Sequence, residues 1–177
     1  DYLAIRPGYT FLGYYDKQTT TGAKQYFDAN GKAQSRFDKT SATTLYACWQ
    51  ANNYSIDYST ATENGWALET GAPTSYTAES TTTLLGATKT GYTFKGWKVL
   101  SITDDSKNVL TTGTYGGWTV GQTYINNNDV VGNYGDIKLD VVYDTNSYTI
   151  TYDANGGTLT GDATQSFTIT DSITLAS

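Results

Sequence analysis

The 177-residue chain repeats itself, and a repeat constrains the fold more than any single motif can, because each copy must bury its own apolar face. Thr44-Leu45-Tyr46-Ala47-Cys48-Trp49, Asn52 and Tyr54-Ser55-Ile56 recur 94 positions later as Lys138-Leu139-Asp140-Val141-Val142-Tyr143, Asn146 and Tyr148-Thr149-Ile150. Gly8-Tyr9-Thr10-Phe11-Leu12-Gly13-Tyr14 recurs after 83 positions as Gly91-Tyr92-Thr93-Phe94-Lys95-Gly96-Trp97. Ser75-Tyr76-Thr77 with Leu84 recurs after 91 as Ser166-Phe167-Thr168 with Leu175. The difference between 83 and 94 places an insertion of about eleven residues, which includes Trp118, between Trp97 and Val131. The order of the blocks reads as the back half of one repeat (1–51), a complete repeat (52–145) with its insertion near 98–130, and the front half of a third (146–177). Asp1 corresponds to Leu84 and Ser177 to Gly86, so a tail followed by a head would assemble about one repeat.

The local pattern is that of strands. Tyr54, Ile56 and Tyr58 alternate onto one face, as do Tyr148, Ile150 and Tyr152; Leu45, Ala47 and Trp49 pair in pattern with Leu139, Val141 and Tyr143. Asn155-Gly156 supplies the positive-φ residues of a tight turn. Helical periodicity is scarce, with short turns expected only over 31–38 and 127–134. The expected class is mainly β with minor helix, an α+β arrangement of small units whose cores are filled by aromatics, since 16 tyrosines, 4 tryptophans and 5 phenylalanines outweigh the long aliphatics.

Charge and residue inventory narrow the function. The net charge is -6 with the basic residues scattered singly, which disfavours a nucleic-acid backbone as partner. The absence of histidine removes the usual triads and zinc sites, and a single cysteine forms no internal disulfide. No apolar run is long enough for a membrane helix. The Thr, Tyr, Asn, Ser and Gly bias fits an exported bacterial surface protein, hence an extracellular, secreted or cell-surface location. The chain opens at Asp1 without methionine and is expected to be part of a longer polypeptide, with any export signal or anchor elsewhere or removed.

Tyr148-Thr149-Ile150-Thr151-Tyr152-Asp153-Ala154-Asn155-Gly156-Gly157, Gly91-Tyr92-Thr93-Phe94-Lys95-Gly96-Trp97 and Thr44-Leu45-Tyr46-Ala47-Cys48-Trp49 together resemble the three signature segments of the Listeria/Bacteroides repeat, the internalin-B-type B-repeat. The resemblance implies tandem β-grasp-like units in large bacterial surface proteins, acting as stalk or adhesion module, without catalytic residues or cofactor. Tyr14 and Tyr143 stand where that pattern has Trp, and Tyr58 is followed by a longer segment, 59–65, than the usual Asp-Ala-Asn-Gly-Gly.

The expected function is therefore a non-catalytic structural or adhesive repeat, whose partners are neighbouring repeats or copies of itself joined by complementary half-repeats. The alternative is a carbohydrate- or mucin-binding module contacting host or matrix glycans or proteins, with Trp118 and Tyr115 in the insertion as the candidate stacking surface. Cys48, on the face opposite Leu45, Ala47 and Trp49, is expected to be partly accessible and is the candidate for an intermolecular crosslink. Lys24, Lys95 and Lys98 lie beside strands where an isopeptide staple could form. The acidic groups at 104–106 and 126–129 offer oxygens but lack the spacing of a calcium loop, so no metal is expected.

Overall fold

The computed structural model describes residues 2–125 and 131–174. Strands dominate, and they fall into a central group flanked by two smaller sheets. The first sheet holds β1 (Tyr9–Tyr15), β2 (Gln25–Asp28) and β3 (Tyr46–Ala51) in the order β2-β1-β3, all antiparallel. The central group runs β4 (Tyr54–Asp57), α1 (Ser59–Glu63), β5 (Ala67–Leu68), β6 (Ser75–Tyr76), β7 (Ala87–Thr88), β8 (Tyr92–Thr103), β9 (Val109–Leu110), β10 (Thr114–Tyr115), β11 (Trp118–Thr119), β12 (Thr123–Tyr124) and β13 (Asp136–Thr145). Its main sheet has the order β12-β8-β13-β4-β6, with β13 parallel to β4. The last sheet is the hairpin β14 (Ser147–Thr151) and β15 (Thr164–Thr168).

Residues equivalent by sequence offset hold equivalent registers. Tyr9 lies opposite Ala51, Phe11 opposite Trp49 and Gly13 opposite Cys48. In the central sheet Tyr92 lies opposite Thr145, Phe94 opposite Tyr143 and Gly96 opposite Val142, with the register slipping by one residue at the same place. The slip is a bulge, and glycine serves it because backbone packs where a side chain would go. A Cβ on Gly96 (φ 151°) would lie 2.6 Å from the carbonyl oxygen of Tyr124, and one on Gly13 would strike that of Phe27. The hairpins agree as well: Tyr54 opposite Tyr76 is matched by Tyr148 opposite Phe167.

The central group has a closed core. Trp97, Trp118, Tyr76, Leu84, Ile102, Ile137, Leu139 and Val99 are fully buried, and the Tyr54, Ile56, Tyr58 face expected from alternation is buried with them. The Tyr58 ring lies 4.7 Å from that of Trp97, while Trp66 packs on Tyr92, Phe94 and Tyr143. Each such ring removes about 150–250 Å² from water, a gross gain of about 4–6 kcal/mol that conformational entropy largely offsets.

Two helix expectations need correction. Residues 31–38 form no helix: Asp28 accepts the N–H groups of Asn30 and Lys32, closing a turn that returns the chain beside β2 through a Phe27–Ala33 bridge. The expected turn at 127–134 falls partly on residues outside those described; residues 131 and 132 form a turn. The helix α1 instead occupies the stretch read as a long loop. Asp57 accepts the Ser59 N–H at 2.8 Å at its start, and Ala61 is fully buried, so tertiary packing overrides the weak propensity of a five-residue segment.

Candidate functional site

Two features repeat across the molecule and sit where one unit meets the next. The first is an asparagine junction. Only Asn52 and Asn53 separate β3 from β4, and only Asn146 separates β13 from β14. The Asn52 N–H donates to the Gly8 carbonyl at 2.9 Å, and its Oδ1 accepts from the Thr10 hydroxyl at 2.6 Å. Asn146 repeats both bonds with the Gly91 carbonyl and the Thr93 hydroxyl, at 2.9 and 2.6 Å. The glycine in each clamp also touches the following unit: Gly8 faces Tyr134, and Gly91 faces Ile169. At the first junction Asn52 Nδ2 further donates to the Tyr54 hydroxyl, which donates to Asp105 at 2.6 Å. Burial, then the Asp105 bond, push the Tyr54 phenol well above its ordinary range. Both asparagines are visible in the sequence repeat, but their clamping role has no signal there beyond their identical placement.

The second feature is a pair of open clefts. One, of about 490 Å³, is lined by Tyr2, Leu3, Tyr14, Phe27, Asn30, Gly31 and Leu45. Tyr14 and Leu45 are the counterparts of Trp97 and Leu139, and Phe27 lies opposite Tyr14 as Tyr124 lies opposite Trp97. Even the polar anchor is reproduced. The Tyr14 hydroxyl donates to the Tyr2 carbonyl at 2.7 Å, as Trp97 Nε1 donates to the Leu85 carbonyl at 2.6 Å. The cleft thus occupies the place of the central core, without the residues that fill it there. The other cleft, of about 500 Å³, lies along the β14–β15 hairpin and includes Tyr152, Leu159 and Gln165. Tyr152 is the counterpart of the buried Tyr58, and its hydroxyl donates to Gln165 at 2.7 Å.

The expected site residues fare differently. Trp118 was expected to offer an exposed ring from the insertion; it is instead fully buried, its Nε1 donating to the Tyr76 hydroxyl at 2.6 Å and its ring packed edge-on against Tyr76 and Tyr124. The reason is the β10–β11 turn through Gly116 and Gly117, both at positive φ, which folds the indole inward. Tyr115 is half-buried against Tyr134, and its hydroxyl accepts the Asp105 N–H. An indole with neither face free offers no surface on which a sugar ring can stack.

Cys48 was expected to be partly accessible but is buried, its Sγ 3.7 Å from the Lys17 carbonyl, and burial pushes its thiol pKa up, away from the reactive thiolate. Its face is covered because Tyr26 and the segment carrying Phe37 and Asp38 fold over that side of the first sheet. Lys24 pairs with Asp38 at 2.7 Å and Lys95 with Asp144 at 2.9 Å, both at the surface rather than in the apolar setting a staple needs. Asp104 accepts the Asn108 backbone and side-chain N–H groups, holding a turn. The acidic stretch 126–129 lies outside the described residues, and among the described residues no group of three His, Cys, Asp or Glu converges as a metal site.

A family model described as the Listeria-Bacteroides repeat domain matches residues 54–131 and 148–177. No curated protein and no solved structure gave a match. Among the described residues no helix is long and apolar enough to cross a membrane.

Proposed function

The chain belongs to the Listeria-Bacteroides repeat domain family, and from that premise we propose that it is a non-catalytic structural segment of a large secreted or cell-surface bacterial protein, a stalk or fibre that holds other modules away from their base. Its units are β-grasp-like: the first strand of the central unit, β4, lies parallel to its last, β13, and their neighbours β6 and β8 complete a mixed sheet against which α1 packs. Its partners are neighbouring repeats and further copies of the same unit, which half-repeats complete.

One observation carries this reading, the asparagine clamp that recurs at Asn52 and Asn146 with the same two bonds. A linker of one or two residues pinned to the preceding glycine turn leaves little freedom between successive units, and a stalk needs such stiffness. Small-angle scattering from dilute wild-type protein is expected to fit one rigid body. Asn52→Ala with Asn146→Ala should require an ensemble of inter-unit angles while leaving the fluorescence of the central core unchanged. A wild-type chain whose scattering already demands freely moving units would refute the stalk.

A further inference from the structure

We infer that the cleft within residues 2–51 is a docking site for the β14–β15 hairpin of a second copy of this chain, so that copies join head to tail. This rests on the reading of the chain as repeats of one structural unit. The central unit shows how such halves fit. There β4 lies parallel to β13, with Ile56 opposite Ile137 and Asp57 opposite Lys138, and the Tyr58 that follows β4 packs 4.7 Å from Trp97. Carried through the sequence offsets, the same geometry sets Ile150 of one copy opposite Thr43 of the other, Thr151 opposite Thr44, and Tyr152 against Tyr14.

Both halves are ready for this contact. Among the described residues, β3 pairs only with β1 and β14 only with β15, so each presents a free edge to which a strand can add. Both also leave apolar surface open. Tyr148 is 40% exposed where its counterpart Tyr54 is 3% exposed. The two clefts, about 490 and 500 Å³, are two sides of one core that the central unit closes. A protein partner of unrelated shape would not reproduce the Tyr14 to Tyr2 anchor, which is already set for the ring that Tyr58 supplies in the central unit. Each copy carries one cleft and one hairpin in separate sheets, so the contact is heterologous and propagates as a filament.

Light scattering on the 177-residue chain from micromolar to millimolar concentration should show mass rising by whole copies. Leu45→Asp in the cleft and Tyr152→Asp on the hairpin should each abolish the rise. Mixed together they retain one good cleft and one good hairpin, and should form a one-to-one pair and nothing larger. A second arm does not depend on either aspartate variant folding. With Thr43→Cys and Ile150→Cys in one chain, directly opposed positions should oxidise to a ladder of linked copies, whereas either cysteine alone should stop at dimers. A wild-type chain monomeric at millimolar concentration, a mixture that fails to pair, or a double-cysteine chain without a ladder would overturn the inference. A rigid monomer would do so while leaving the stalk standing; a chain that polymerises through flexible units would defeat the stalk alone.

Discussion

Replacing Trp118 by alanine tests whether the insertion is part of the core or an appendage to it. The side chain is fully buried, donates to the Tyr76 hydroxyl at 2.6 Å and lies 4.9 Å from the Tyr124 ring. Removing a buried indole costs about 3–5 kcal/mol through lost burial and the cavity left behind. The Tyr76 hydroxyl loses its donor but keeps its own bond to the Gly135 carbonyl at 2.5 Å, so no polar group is orphaned outright. In a unit of fewer than one hundred residues that loss lowers Tm by at least about 12 °C, and it consumes much of the roughly 5–15 kcal/mol a domain has. Trp118→Phe keeps most of the volume and loses only the N–H, so about 1 kcal/mol is expected. Urea unfolding followed by the fluorescence of Trp66 and Trp97, both inside the same core, reports the loss directly. If Trp118→Ala changed stability by no more than about 0.5 kcal/mol, as surface substitutions do, the placement of the insertion in the core would be refuted.

Further consequences concern single groups. Tyr58 has a buried hydroxyl without a hydrogen-bond partner, so Tyr58→Phe should be neutral or stabilise by about 1 kcal/mol in urea unfolding; a clear loss would mean the hydroxyl is bonded in solution. Gly96→Ala puts a methyl 2.6 Å from the Tyr124 carbonyl oxygen at φ 151°, and is expected to cost about 1–3 kcal/mol and to raise amide exchange along β12; unchanged exchange would contradict the bulge. Hydrogen bonds from Lys24 and then from the Tyr26 hydroxyl hold the Asp38 carboxyl down at about 2. Because the folded value lies below the ordinary carboxylate range, this contribution is complete above about pH 4 and fades as pH falls towards 2. A carboxyl carbon titration should show that low midpoint, and Lys24→Met should move it upward. A midpoint near the ordinary value in the wild type would remove the pair from the account.

The repeat made the strands legible before any coordinates. Tyr54, Ile56 and Tyr58 fall where alternation puts them, and the glycine blocks at 8–14 and 91–97 hold the same register. Local pattern failed where tertiary context decides. The sequence of α1 is rich in Thr and too short to show a helical period, and only packing of Ala61 makes it a helix. Trp118 looked exposed because it lies in an insertion, but a diglycine turn can aim a side chain inward as readily as outward. Cys48 alternates away from the Leu45 face, yet that side is also covered, since strand alternation says which face a residue takes and not whether a loop crosses it. The clefts could not be read at all, because their residues are apolar core positions by every sequence criterion and only the absence of facing side chains opens them.

The account depends on one unit being built twice with the same strand register. Cross-strand nuclear Overhauser contacts, recorded on the chain carrying Leu45→Asp and Tyr152→Asp to keep it monomeric, test this most directly. They are expected to pair Tyr9 with Ala51 and Tyr92 with Thr145, and to show the one-residue slip beside both Gly13 and Gly96. Different registers in the two sheets, or a slip in only one of them, would contradict it.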